Sequence, residues 1–375
     1  MNVLLYGWFG ENNFGDELLL RSAIEMLKPY EDVKICVTCS NPNQVNKNYN
    51  ELYRVSSCVY PSIKRIGKLL LTDPIQVFKN LIESDILVVA GGGAISDWND
   101  VSTKEMFFLI NYFSYKKKKI YLFGVGAGPL TKEKPNGRYS TILSKAQIIT
   151  TRDDYSYNEL KKLGLTNIVK SKDLSYNSSI YDKDANEPIN IKKVGIILAP
   201  VCMNTPDVFD KFIEESRKLI RSLSESYSVS LIPFHPSYDK LLLEQVALGI
   251  EDINILQSDN IWKVEQFVSE QDLIIGMRYH SLILAILKKK YLIPIIYHPK
   301  NASFCKDFDL MQYSSAVGNG ENWPLNNIDA DKILMDINKI KNDSSYFQRL
   351  DINVNKKLSG TVEQEILENI FKCNE

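Results

Sequence analysis

Three cations stand directly after apolar, β-rich runs of the chain. Arg152 follows Ile148–Thr150 in Thr151-Arg152-Asp153-Asp154, and Arg278 follows Leu273–Gly276 in Met277-Arg278-Tyr279-His280-Ser281. Lys300 follows Leu292–Tyr297 in His298-Pro299-Lys300. A guanidinium fork pairs bidentately with a carboxylate or phosphate, and an ammonium supplies a point charge. Taken together, cations past strand ends converge on one rim and suit an anionic ligand. Taken singly, each reads equally well as a surface charge, and Arg152 has carboxylates beside it. His280 opens the helical pattern Ser281–Leu287, where the helix dipole disfavours an imidazolium and a bound dianion favours it. That position suits proton transfer; it also suits a structural, hydrogen-bonded histidine. His235-Pro236 ends another strand and is the weaker candidate, while His298 reads as loop structure.

Glycine-rich loops supply the second kind of chemistry. Gly91-Gly92-Gly93 follows Ile86–Ala90, and Gly124-Val125-Gly126-Ala127-Gly128 follows Ile120–Phe123. Successive glycines expose backbone N–H groups and let a ligand come close, although either run alone also serves as a tight strand-to-helix turn. The stretch Gly7-Trp8-Phe9-Gly10-Glu11-Asn12-Asn13-Phe14-Gly15-Asp16-Glu17 follows the first strand. Its glycine spacing matches neither the dinucleotide fingerprint nor the P-loop. Asp16 and Glu17 fall at the start of a helix, where carboxylates serve as plain capping groups. A carboxylate there also accepts hydrogen bonds from sugar hydroxyls or takes a proton from an attacking hydroxyl. The loop, with Asn13 and Gly15, is read as the acceptor side.

Other features read as structure. Cys36 and Cys39 have dithiol spacing, but along a strand they point to opposite faces. No second pair completes a zinc site, the histidines lack ligand spacing, and no metal is indicated. Lys116–Lys119 and Lys288–Lys290 each precede a strand and most simply end helices. The alternative use of such lysines is contact with anionic lipid.

These groups must be positioned by a repeated scaffold. Expected strands are Val3–Tyr6, Lys34–Val37, Ile86–Ala90, Ile120–Val125 and Ile148–Thr150. A second series follows at Val194–Leu198, Val229–Pro233, Ile253–Leu256, Leu273–Gly276 and Leu292–Tyr297. Continuous apolar runs fit strands covered on both faces. Amphipathic stretches between them, such as Glu17–Leu27, Val208–Leu223 and Ser281–Leu287, complete βαβ units in two halves. The fold class is therefore α/β, with two Rossmann-like, doubly wound domains facing across a cleft. The polar run Tyr181–Ile191 is the natural linker. It separates an N-terminal domain, 1–185, on the acceptor side from a C-terminal domain, 190–345, on the donor side. A helical tail over 346–375 is expected to pack back on the first. Ligands of such sheets bind past the strand C-termini.

The chain has 375 residues with 45 basic and 46 acidic side chains, so no basic excess is available for coating a nucleic acid. Its six cysteines do not form a disulfide framework in a chain long enough to bury its own core. The N-terminus has no basic lead, and no apolar run approaches the ~20 residues of a membrane span. The expected location is the cytoplasm, with peripheral contact at the membrane face as a further possibility.

In order and spacing, several pieces resemble the polysaccharide pyruvyl transferase family. They are Gly7…Gly10…Asn13-Phe14-Gly15-Asp16, Gly91–Gly93, Gly124-Val125-Gly126, Thr151-Arg152-Asp153 and Gly276-Met277-Arg278-Tyr279-His280. The resemblance runs from the first strand to about Lys300. It implies a fold similar to GT-B glycosyltransferases, and transfer of an enolpyruvyl unit from phosphoenolpyruvate to a sugar, normally closing a cyclic ketal. The acceptor it implies is a surface polysaccharide or its lipid-linked precursor. It implies roles for Arg152, His280 and Lys300 in donor binding and catalysis, with phosphoenolpyruvate as co-substrate and no cofactor. Within that reading His280 is the general acid, and Arg152 and Lys300 hold the anionic ends. Arg278, Ser281, Asn13, Gly15, Gly91–Gly93 and Gly126 are contacts, and Asp16 orients or deprotonates the acceptor hydroxyl. The rival reading is a GT-B-type glycosyltransferase using a nucleotide sugar. A binding protein that has kept the fold is the alternative from outside enzymes.

Overall fold

The computed structural model describes residues 1–58, 74–96, 100–130, 135, 137–181, 185–200, 206–257, 260–318, 327–359 and 362–371. The chain divides into two compact units. The first comprises Met1–Glu11, Asp16–Ser179 and Ser359–Glu375, and the second Asn12–Gly15 and Ile180–Leu358.

The first unit is built on a seven-stranded, all-parallel sheet. Its strands are β1 (Asn2–Tyr6), β2 (Lys34–Cys39), β3 (Arg54–Ser57), β4 (Ile86–Ala90), β5 (Lys119–Val125), β6 (Ile148–Thr151) and β7 (Ile168–Lys170). They lie in the order β3-β2-β1-β4-β5-β6-β7. Alternate side chains enter two separate cores. Leu4, Tyr6, Leu87 and Val89 join one, with Phe113 and Leu143. Val3, Leu5, Ile86, Val88 and Ala90 join the other, with Leu20, Ile24 and Tyr49. Both faces are thus covered, which is why these strands read as unbroken apolar runs. Cys36 falls in the first core and Cys39 in the second. The helix Val362–Phe371 closes this unit: Leu367 and Ile370 enter the second core. Its fully buried Glu363 takes hydrogen bonds from the Thr150 and Ser171 hydroxyls.

The second unit has six parallel strands: β8 (Lys193–Ile197), β9 (Ser228–Leu231), β10 (Asn254–Ile255), β11 (Leu273–Gly276), β12 (Tyr291–Ile296) and β13 (Ser315–Ala316). Their order is β10-β9-β8-β11-β12-β13. Helix Tyr346–Leu358 counts with this unit rather than with the tail. The reason is packing: Tyr346 is buried, stacks near Tyr291 and Tyr313, and its hydroxyl accepts the Leu292 N–H at 3.1 Å.

Each sheet reverses its order once, between β1 and β4 and between β8 and β11. Parallel α/β sheets bind ligands beyond the strand C-termini at such switch points. The loops that follow β1, β4 and β11 carry Gly7–Gly15, Gly91–Gly93 and Arg278–His280.

Candidate active site

In the second unit, β11 and β12 run side by side, with Gly276 opposite Pro294. Each strand leads directly into a nine-residue helix, Tyr279–Leu287 after β11 and Pro299–Asp307 after β12. Two helix N-termini therefore open at neighbouring strand ends, and their unsatisfied N–H groups favour negative charge. His280 lies in the first turn of one helix and Lys300 in the first turn of the other. Fully buried Asn301 ties the two segments together by donating to Met277 O at 2.9 Å.

His280 is partly buried, with its Nε2 shielded from solvent. Its ring lies edge-on to Tyr279 with centroids 5.4 Å apart. The opposite side of the imidazole rests on Gly15: a Cβ there would stand 2.1 Å from His280 Nδ1. Asn12–Gly15 is seated in this unit by a Phe14 N–H to Phe234 O hydrogen bond of 2.8 Å, and by packing of the two rings at 4.8 Å. Asn13 Oδ1 accepts the Gly15 N–H at 3.2 Å and shapes the entry into the helix Phe14–Leu27.

Lys300 carries its ammonium 5.3 Å from the Tyr297 ring centre, and among the described residues it forms no ion pair. His298 is the helix cap, its Nδ1 accepting the Lys300 N–H at 3.1 Å. Arg278 is committed differently. It is the N-cap residue of its helix, and its guanidinium grips the fully buried Asp239 through Nε and Nη2. The same carboxylate accepts the Phe234 and His235 N–H groups at 3.1 and 2.8 Å. Arg278 thus holds the loop after β9 to the loop after β11. Ser281, expected as a substrate contact, is fully buried and donates to Arg278 O at 2.5 Å. The bond runs back to the carbonyl three residues earlier, so this hydroxyl is used within its own helical turn.

In the first unit, Arg152 is buried, 7% exposed. Its Nε meets Asp153 at 3.2 Å and its Nη1 lies 3.8 Å from Asp173. Both carboxylates also hold backbone: Asp153 caps the helix Asp154–Lys162 through Ser156 N–H at 2.7 Å, and Asp173 accepts Ser175 N–H at 3.0 Å. Gly126 makes room for the guanidinium, since a Cβ there would stand 2.5 Å from Arg152 Nη2. The Gly126 N–H donates to Gly92 O at 2.7 Å, so the two glycine loops are joined. Gly91 has φ +65° and packs on Leu19, while Gly93 is exposed with open space where a Cβ would go. Gly124 lies inside β5, at a register shift rather than in the loop.

Asp16 is partly exposed in the first turn of its helix. Its neighbour Glu17 is 2% exposed, and its Oε1 accepts the Gly10 N–H at 2.6 Å. Glu17 Oε2 is buried and has no hydrogen-bond partner among the described residues. Burial, chiefly, pushes its carboxyl up to about 7; the Gly10 N–H opposes this and the charge of Glu11 adds to it.

Within the second unit, then, the structure brings together Gly15, Asn13, His280, Ser281 and Arg278, with Lys300 at the start of the helix after the neighbouring strand. Within the first it brings together Arg152, Gly126 and Gly92. Sequence reading missed the Asp239 anchor, Asn301 and the burial of Glu17. Pairings between distant positions leave no spacing signal, but an acid four residues past His235 in a helix start was visible. No group of three or more His, Cys, Asp or Glu residues able to hold a metal occurs among the described residues.

Solved structures show the same architecture at low identity. UDP-GlcNAc 2-epimerase from Neisseria meningitidis, bound to UDP-GlcNAc, superimposes with a TM-score of 0.61 and 13% identity, covering 99% of this chain and 100% of that one. The S. aureus MnaA–UDP structure gives 0.63 and 11%, covering 98% and 95%. UDP-GlcNAc 2-epimerase from Methanocaldococcus jannaschii gives 0.59 and 14%, covering 94% and 97%. These likenesses establish a GT-B-like fold, and fold alone does not carry function. No curated protein is similar enough in sequence to count as a relative. The family model for polysaccharide pyruvyl transferase matches residues 13–299, a span that begins at Asn13 and includes His280, and the chain belongs to that family.

Proposed function

We propose that the protein moves the enolpyruvyl unit of phosphoenolpyruvate, as a pyruvate ketal, onto a sugar of a surface polysaccharide or its lipid-linked precursor, releasing phosphate. The observation that carries this reading is the pair of neighbouring helix N-termini bearing His280 and Lys300, with the Lys300 ammonium outside any ion pair among the described residues. An imidazole beside two anion-favouring helix N-termini suits a donor that is both an anion and a proton acceptor.

His280 protonates the methylene carbon C3, and positive charge develops at C2. A sugar hydroxyl attacks C2, and its proton returns to the imidazole. The bond from C2 to the phosphate oxygen breaks and phosphate leaves; a second hydroxyl then attacks C2, its proton passes to the released phosphate, and the ketal closes. Lys300 and the two helix N-termini stabilise the negative charge that gathers on the leaving phosphate. Arg152 is assigned to an anionic end of the donor, and Asp16 to orienting the acceptor hydroxyl.

The test is ligand-induced thermal stabilisation with phosphoenolpyruvate, UDP, GDP and NAD in parallel, followed by turnover of variants. Phosphoenolpyruvate at ~100 times its Kd stabilises the fold by ~2.7 kcal/mol, a readable shift. His280→Ala is expected to keep that shift and lose ~10²–10⁴-fold in turnover. Lys300→Ala removes a charged contact and is expected to weaken donor binding about 10–100-fold. Stabilisation by a nucleotide and not by phosphoenolpyruvate, or unimpaired turnover by His280→Ala, overturns the proposal.

A further inference from the structure

The helix Pro74–Glu83 in the first unit has two apolar faces. Val77 and Leu81 are buried against the sheet. Ile75, Phe78 and Ile82 point outward and are 62%, 55% and 65% exposed. At 3.6 residues per turn these three fall within an arc of about 60°, and Lys79 lies on the same side. The segment that ends the helix Asp100–Tyr115 lies beside them. Lys118 Nζ donates to Leu81, Ile82 and Ser84 carbonyls at 3.2, 2.7 and 2.5 Å, which latches that segment to the helix end. Just before it, Tyr115 is 80% exposed, with Lys116 Nζ 5.4 Å from its ring.

Charge and apolar surface therefore coincide. Lys79, Lys116 and Lys117 are exposed and form no ion pair among the described residues. Among the described residues, the nearby acids Glu83 and Asp85 each have a partner: Glu83 pairs with Arg54 at 2.6 Å, and the Asp85 carboxylate accepts the Asn2 N–H at 2.8 Å. The whole chain carries a formal charge of −1, so this basic rim is local. A two-fold contact between copies through this face would set lysines against lysines. An anionic bilayer offers the complement to both features: interfacial depth for the apolar stripe and negative headgroups for the rim.

From this surface we infer that the protein docks on an anionic membrane through Ile75, Phe78, Ile82 and Tyr115, with Lys79, Lys116 and Lys117 at the rim. The inference does not depend on the reaction assigned above. The test is co-sedimentation of the full chain with phosphatidylcholine vesicles, with and without phosphatidylglycerol. Binding is expected on the anionic vesicles only and is expected to fall steeply as salt is raised. Lys116→Gln/Lys117→Gln is expected to weaken it about 30-fold, at about five-fold per lysine. Phe78→Ser/Ile82→Ser is expected to weaken it at least about ten-fold, with the fold retained because both side chains are more than half exposed. Absence of wild-type binding to anionic vesicles, or equal binding by either double variant, overturns the inference. So does concentration-dependent self-association through this face, abolished in Phe78→Ser/Ile82→Ser, in place of vesicle binding.

Discussion

Glu17→Gln tests whether a carboxyl is held unionised under the loop that follows β1. Glu17 is 2% exposed and its Oε2 has no hydrogen-bond partner among the described residues, so burial disfavours the anion. Its proton affinity rises from the ordinary 4.5 to about 7. At ~1.36 kcal/mol per tenfold, that rise corresponds to about 3 kcal/mol. The sign follows from proton uptake. Below 4.5 both folded and unfolded chains hold the proton, and ionisation costs nothing. Between 4.5 and about 7 the unfolded chain releases it while the folded chain keeps it, so stability falls as pH rises. Above 7 the full cost of about 3 kcal/mol is present. Glutamine keeps the acceptor for the Gly10 N–H and cannot ionise. Its amide nitrogen adds a buried donor, but that penalty of ~1–3 kcal/mol does not depend on pH. Urea unfolding of both proteins at about pH 5 and about pH 8 should therefore show the variant gaining roughly 2–3 kcal/mol on wild type between them. A gap that is the same at both pH values would refute the reasoning.

Three further substitutions follow from the geometry. Gly15→Ala puts a methyl 2.1 Å from His280 Nδ1, so the imidazole must move by more than an ångström. Misplacement of that size costs ~10²-fold, read as kcat with phosphoenolpyruvate binding retained, and full activity would detach His280 from the chemistry. Gly126→Ala puts a methyl 2.5 Å from Arg152 Nη2 and drives the guanidinium off its seat. If Arg152 holds an anionic end of the donor, Kd for phosphoenolpyruvate rises at least about ten-fold. A lowered melting temperature with unchanged Kd would make Arg152 a purely structural group. Asp239→Asn leaves Arg278 without its buried counter-charge, and breaking such a pair costs ~3–5 kcal/mol in urea unfolding. A loss below about 1 kcal/mol would show that the pair does not hold the loops.

Much of the scaffold was legible because parallel strands covered on both faces must be apolar throughout. Ile86–Ala90 was readable to the residue, since its odd and even positions feed different cores. The strands that were missed, Arg54–Ser57, Ile168–Lys170 and Ser315–Ala316, are short edge strands that tolerate polar positions. Edge strands are shielded on one side only, so their apolar pattern is weak. His280 and Lys300 were visible for the same reason as the strands: each sits one turn beyond an apolar run. The partners that give those residues meaning were not. Gly15 and His280 pack together across most of the chain length, and Asp239 reaches Arg278 across 39 positions. Spacing arguments report neighbours along a helix or strand; they are blind to contacts between loops that only the sheet order brings together.

The three cations differ in the counter-charges around them. Arg278 is matched by the buried Asp239, and Arg152 stands between Asp153 and Asp173. A guanidinium that is neutralised in this way still donates hydrogen bonds in fixed directions. Lys300 has no ion-pair partner among the described residues and stands in the first turn of a helix. In the proposed reaction the donor brings a carboxylate and a phosphate, and a proton must reach its carbon. Two helix N-termini supply about half a positive charge each. With the Lys300 ammonium and the imidazolium that the proposed mechanism requires of His280, the second unit alone would offer about three positive charges to the donor. Proton transfer from His280 removes one of them at the moment C2 becomes positive. The field that held the dianion thus relaxes as the pyruvyl centre needs less cation around it, while Lys300 remains to receive the departing phosphate.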